Sequence, residues 1–279
     1  MVYYRTKKII TLIILHAFLM SVALSCVFPF IWMVNTSLET NAEFDSDYGL
    51  KPPSTFNLEN YKKVIIESEF WRYFLNSVLY TFITVVLIVL IASLAAYSFS
   101  RLRFPGKNII FYMFLAAMMI PLPAGFVPVY VLLQQFGLLN KTGYVLAMSN
   151  MGLSISIYLL KTFFDQLPRD LEDAARIDGC NKLQIWWNVG LPLITPALGV
   201  VVIFNALNVW NEFVLASIIF VEKKHMPLQA ALMQFSGEQV TNHVLVMTAL
   251  TVTALPIIIL YILMQKQFVK GITAGAMVG

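Results

Sequence analysis

Four carboxylates, Asp170, Glu172, Asp173 and Asp178, crowd one polar stretch of this chain, together with Ala174, Ala175 and Gly179. A second polar group, Asn205, Asn208, Trp210, Asn211 and Glu212, sits inside an apolar run. Neither group offers paired catalytic carboxylates or a nucleophile beside a base, so no residue is assigned a catalytic role and no enzyme is expected. Three scattered histidines, His16, His225 and His243, and two cysteines, Cys26 and Cys180, lack metal-ligand spacing, so no metal site is expected. Gly106-Lys107 is followed by Asn108 and has Arg101 where a phosphate-binding loop needs its first glycine, so nothing here cradles nucleotide phosphates and no cofactor is expected.

The elements that carry these groups follow from composition. The chain has 279 residues, 59% hydrophobic and 12% charged, with a mean hydropathy of +0.75. Soluble domains average about 45–50% apolar and about 25% charged, so this is a membrane protein without room for a large soluble domain. A span needs about 20 apolar residues, and apolar runs place six transmembrane helices near 9–34, 75–99, 108–130, 143–163, 195–220 and 243–265, with Pro121, Pro123 and Pro128 breaking or ending the third. Arg5, Lys7 and Lys8 ahead of Ile9 suggest a signal peptide, but the apolar run continues past Cys26 to Met33 and reads as the first span. With both termini cytoplasmic, inner segments hold 12 of the 19 Lys and Arg residues, and that bias sets the orientation.

The expected outer loop, 35–74, is acidic, with seven Asp and Glu against four Lys and Arg. Within it, Asn57 to Ile66 carries the pattern of a surface helix. Net charge is +4, explained by the inside bias, and no basic-aromatic array suggests nucleic acid.

The expected cytoplasmic loop, 164–194, reads as two short helices with a bend. Asp170 is placed to cap the first, Glu172 and Asp173 favour the positive end of its dipole, and Leu171, Ala174, Ala175 and Asp178 share a face. Gly179 suits the left-handed residue that ends a helix, Asn181 caps the next, and Pro192 and Pro196 restart the chain into span five. Such a finger is suited to touching another protein, or to resting on lipid through Trp186 and Trp187.

Asp173-Ala174-Ala175, Asp178-Gly179 and Leu191-Pro192-Leu193 resemble the EAA loop of binding-protein-dependent ABC importer permeases, with Asp173 where that family usually has Glu. Pro29 to Met33, Phe56 to Tyr61, Asn76-Ser77, Arg103 to Lys107, Trp210 to Phe213 and the tail from Gln267 to Ala276 are similar to carbohydrate permeases of the MalG kind. The resemblance implies a single permease domain over 1–279, an all-α type I ABC importer fold with a cytoplasmic coupling helix, in a bacterial or archaeal cell membrane. It implies a MalF-like permease partner, two cytoplasmic ABC ATPase subunits that bind the ATP, an extracytoplasmic solute-binding protein, and a sugar or oligosaccharide cargo. Glu172, Asp173, Ala174, Ala175, Asp178, Gly179, Leu191 and Pro192 become ATPase-coupling residues, and Lys270, Gly271 and Gly275 in the tail 266–279 become ATPase contacts. Asn205, Asn208 and Glu212, at i, i+3 and i+7, share a face that either lines the sugar path with Trp210 and Asn211 or hydrogen-bonds the partner helix. A secondary transporter or channel is the alternative class; only Glu212 is ionisable at membrane depth, and the halves show no repeat.

Overall fold

The computed structural model describes residues 2–232 and 242–276, and every regular element among them is helical. In chain order these are α1 (Val2–Ser37), α2 (Asn41–Asp47), α3 (Glu59–Lys62), α4 (Phe70–Arg101), α5 (Lys107–Ala117), α6 (Leu122–Gln135) and α7 (Lys141–Gln166). There follow α8 (Asp170–Ile177), α9 (Lys182–Ile185), α10 (Leu191–Leu193), α11 (Thr195–Asn211), α12 (Val214–Ile219), α13 (Leu228–Leu232) and α14 (His243–Ala276). Wider π turns extend α3 over Lys63–Glu67 and join α9 to α10 over Trp186–Gly190.

Among the described residues, Ile9–Ser37, Phe70–Arg101, Lys141–Gln166 and His243–Leu263 are each long and apolar enough to cross a membrane. The third and fifth expected spans are broken, so six continuous helices are not seen. Over 108–130 the break falls at Pro121, whose φ of −60° and ψ of 129° are extended, while Pro128 is carried inside α6. Over 195–220 the helix stops at Asn211, because Glu212 turns extended (φ −73°, ψ 129°) before α12 starts. Apolar composition reports how much chain is greasy, whereas continuity depends on each residue keeping the backbone ladder.

The chain forms two compact units. One joins residues 1–70 to 232–255 and the other joins 71–231 to 256–279. In the first, the acidic loop is an ordered cap. Asn60 Nδ2 donates to the carbonyls of Ser37 (2.9 Å) and Glu39 (2.8 Å), Thr248 Oγ1 donates to Ser37 O (3.3 Å), and Phe44 stacks on His243 at 5.2 Å. Thr40 and Glu43 form a reciprocal capping box at the start of α2. Glu43 also accepts from Ser54 Oγ, and these bonds to an exposed carboxylate pull its pKa down to about 2. Gly49 closes the loop at φ +75°, where an added Cβ would collide with Thr36 Oγ1 and approach Trp32 Nε1 to 2.8 Å. The expected helix near 57–66 is present as α3 and its π turn.

The second unit has two apolar cores. Ile88, Ala92, Tyr97, Leu160, Phe164, Ile185, Trp186 and Val201 form one; Tyr80, Tyr144, Met148, Val209, Leu215 and Phe220 form the other. Between them α7 meets α11 at a small-residue seam. An added Cβ at Gly152 would collide with Asn205 Oδ1, and Asn205 Nδ2 donates to Ser156 Oγ at 2.9 Å. Gly152 and Ser156, four apart, let the backbones approach, as small residues do between membrane helices.

Candidate functional site

The polar finger begins where α7 ends, at Leu167 (ψ 134°) before Pro168. The cap of α8 is Arg169, in helical conformation and with no side-chain cap bond, so Asp170 is the first helical residue instead of the expected cap. Asp170, Glu172 and Asp173 still lie in the first turn, where negative charge is favoured. Gly179 adopts φ +83°, with Gly179 N donating to Arg176 O and Cys180 N to Ala175 O, each at 3.0 Å. The left-handed end expected there is present. Asn181 then caps α9: its Oδ1 accepts from Leu183 N (3.1 Å) and Gln184 N (3.0 Å), and Gln184 Oε1 accepts from Asn181 N (2.8 Å). The helical run Lys182–Leu193 meets Thr195–Asn211 at 81°. Leu191 and Pro192 open the last short helix before that corner, with Leu191 packed on the core. Gly190 lets the π turn approach α7, since an added Cβ would sit 3.1 Å from Phe164 Cε1.

The expected shared face splits. Leu171, Ala174, Ile177 and Asp178 are exposed, Ile177 at 87%, but Ala175 is 8% exposed and packs into the core with Phe164 and Trp186. Successive helical residues stand about 100° apart, so Ala174 and Ala175 diverge across the boundary between core and solvent. Glu172 is buried beside Ala175. Its Oε1 lies 2.6 Å from Arg101 Nε, with side chains 9% and 5% exposed, and its Oε2 accepts from Tyr97 OH at 3.5 Å. Arg101 Nη2 donates to Leu167 O (2.7 Å), and Asp165 accepts from Ser100 Oγ and Lys161 Nζ, both at 2.6 Å. Asp173 is exposed and pairs with Arg176 at 2.7 Å. Trp186 is buried while Trp187 is 58% exposed, their rings 5.6 Å apart.

The polar stripe of span five does not hold as one face. Asn205 is buried in the seam, Asn208 is exposed, and Glu212 lies past the helix end. Glu212 accepts from Leu215 N (2.6 Å), Ala216 N (3.2 Å) and Tyr144 OH (3.2 Å), bracing the break before α12. Asn211 Oδ1 accepts from Gln229 Nε2 at 3.1 Å, and Trp210 is buried edge-on to Phe74 at 5.9 Å. Face-sharing by spacing holds only while the helix lasts. Lys270, Gly271 and Gly275 fall on the backbone of α14; their side chains, and residues 277–279, lie outside the described residues.

Two groups escaped the sequence reading. Arg101 looked like one of several inner cations, and only its fold position gives it a buried partner. Asn76, Ser77 and Tyr80 strap the turn near Lys223–His225: Asn76 Nδ2 donates to Lys224 O (2.9 Å) and Met226 O (3.0 Å), Tyr80 OH to His225 O (2.9 Å), and Leu228 N to Ser77 Oγ (2.7 Å). Desolvation and the cations Lys141 and Lys224 lower the His225 pKa, and a hydrogen bond from Lys224 lowers that of Glu222. Among the described residues no group of His, Cys, Asp and Glu is placed to hold a metal ion.

Comparison with known proteins agrees with this architecture. Residues 88–274 match the family of binding-protein-dependent transport system inner membrane components. The chain is 35% identical to a putative ABC transporter permease protein of Caldicellulosiruptor sp., covering 90% of this chain and 91% of that one. It is 30% identical to a diacetylchitobiose uptake system permease protein of Streptomyces coelicolor, over 93% and 87%. The crystal structure of a bacterial ABC transporter involved in the import of the acidic polysaccharide alginate contains a chain that superposes with a TM-score of 0.81 at 25% identity, covering 91% of this chain and 95% of that one.

Proposed function

This chain belongs to the family of binding-protein-dependent transport system inner membrane components, and from that premise we propose that it forms half of the path of an ATP-driven sugar importer and takes its drive through the α8–α10 finger. It is a multi-pass ABC importer permease subunit, and the family is one of transport permeases and not of enzymes. Membership implies a second permease, an ATPase and a binding protein as partners; the finer reading is a MalF-like permease and two cytoplasmic ATPase subunits. A saccharide cargo is supported by the relatives' names, diacetylchitobiose for one and alginate for the structural neighbour. The secondary-transporter alternative draws no support from the family.

The observation that carries the coupling role is the finger itself. A left-handed Gly179 joins α8 to the capped α9, and the ridge Leu171, Ala174, Ile177 and Asp178 is exposed above a buried base. A groove on an ATPase subunit can take that ridge, with Asp173, and turn ATPase closure into rotation of the helices behind it. The positive-residue bias supports cytoplasmic termini, which also bring Lys270, Gly271 and Gly275 to the ATPase side. Counting α5 with α6 and α11 with α12 as broken spans gives six crossings. Asn208, exposed on α11, remains for the path, whereas Asn205, Asn211 and Glu212 are occupied by their own chain.

Purification of the assembled complex, followed by uptake of a panel of labelled di- and oligosaccharides into vesicles, tests this reading. The parent retains an ATPase and takes up at least one sugar only with ATP; Gly179→Val inserts normally but loses that uptake. ATP-independent uptake, or full uptake by Gly179→Val, would refute the coupling assignment.

A further inference from the structure

The first turn of α8 treats its three carboxylates differently. Asp170 and Asp173 are exposed, whereas Glu172 is buried on the side away from the exposed ridge. Its partner Arg101 is the last residue of α4 and uses two edges of its guanidinium: Nε lies 2.6 Å from Glu172 Oε1, and Nη2 donates to Leu167 O, between α7 and α8. Tyr97 OH, one turn earlier on α4, reaches the other Glu172 oxygen at 3.5 Å, and Arg176 Nη2 approaches it to 3.9 Å. One helix end therefore grips both the start of the finger and its docking helix.

A buried ion pair gives up the hydration of both charges, and a packed apolar pair often holds a fold as well or better. What the ion pair adds is an attraction that persists through small displacements, while the Nη2 bond to Leu167 O fixes the direction of the guanidinium. We infer that Arg101 is a positioning residue: through Glu172 it sets the angle of α8 and passes displacement of the finger into α4, so that Glu172 works inward and not as an ATPase contact. This rests on the coupling role proposed above for the finger, and it adds the route from the finger into the spans.

The test uses the whole assembled complex and needs no sugar. A cysteine is placed at Leu94, exposed on α4 toward its C-terminal end, after Cys26 and Cys180 are replaced. Its labelling rate with a maleimide is compared before and after the ATPase is trapped with ATP and vanadate. In the parent, trapping changes the rate at least about threefold, since a coupled helix moves between two states. Glu172→Gln and Arg101→Gln still hold the ATPase and still trap nucleotide, but their ratio falls to about one, and Arg101→Lys, which keeps the charge without the planar guanidinium, recovers part of the response. Should either single variant fail to insert, Arg101→Met with Glu172→Met orphans neither charge and is expected to insert with the response missing.

The inference is overturned if the parent shows no change, if the variants respond as the parent does, or if fewer complexes survive but the survivors respond normally. Release of the ATPase by Glu172→Gln also overturns it, because Glu172 would then be a docking contact. Gly179→Val separates the two readings. If it too responds normally, the coupling role of the finger fails; if it alone loses the response, only the role of Arg101 and Glu172 fails.

Discussion

Near its N-terminal end α4 meets the chain through neutral groups, Asn76, Ser77 and Tyr80, all bonded to backbone between 224 and 228. Its C-terminal end closes on charge, with Arg101 on Glu172 and Ser100 on the Asp165 carboxylate that Lys161 also holds. The two chemistries respond differently to movement. Hydrogen bonds to carbonyls weaken steeply as the angle departs from linear, so the first end holds one geometry or lets go. Coulomb attraction falls only as the inverse of distance, so the second end keeps its grip while it shifts. A helix fixed at one end and compliantly tied at the other is suited to swing.

Breaking the charged end alone gives the largest effect. Arg101→Met leaves Glu172 buried without its main partner and should cost about 3–5 kcal/mol, read as a lower unfolding temperature in detergent, while adding Glu172→Met recovers most of it. Asn76→Leu at the neutral end removes both bonds to Lys224 and Met226 and should cost about 1–3 kcal/mol, with earlier proteolysis near Lys223 as its local sign. If Asn76→Leu proves the more damaging, the contrast between the ends is wrong. Gly179→Val should be milder in stability, about 1–2 kcal/mol, because nothing lies within 4 Å of an added Cβ and only the positive φ opposes it. Gly179→Asn should be milder again, since Asn tolerates the left-handed region.

The smallest effect contrasts Glu172 with a carboxylate held by exposed neutral donors. Glu43 has its folded pKa lowered from 4.5 to about 2. Its contribution is therefore complete above pH 4.5 and is lost as pH falls toward about 2. Glu39 runs the other way, its pKa raised by burial and by Asp47 and Glu43, so the measurement is made with Glu39→Gln. Pepsin cleavage near the 51–56 segment should accelerate across that window, and Glu43→Gln should make the rate nearly flat.

Much of the finger was legible because its signals are local. A glycine after a helix, an asparagine before one and a proline in an apolar run each act within a few residues, and Gly179, Asn181 and Pro121 stand as those rules require. Asp170 missed its cap by one position, a matter of where the first turn begins. The Arg101–Glu172 pair was not legible, since neighbouring partners Tyr97 and Glu172 are 75 residues apart and no periodicity links them. The stripe of Asn205, Asn208 and Glu212 failed in two ways: Glu212 left it because the helix stops at Asn211, and Asn205 and Asn208, about 60° apart on α11, fall on either side of the edge of its buried face. Gly152 and Ser156, four apart on α7, did carry a readable sign of the close α7–α11 approach.

The two adjacent tryptophans give the finger an optical gauge. Trp187 faces out and Trp186 faces in, at 5.6 Å, so aqueous quenchers reach one ring directly while the other reports on the interior. Covering Trp187 would shift its emission to shorter wavelength and slow its quenching, and loosening the base would do the reverse at Trp186. With Trp32, Trp71 and Trp210 replaced, occupancy of the finger and integrity of its foundation become separate readings from one unlabelled chain.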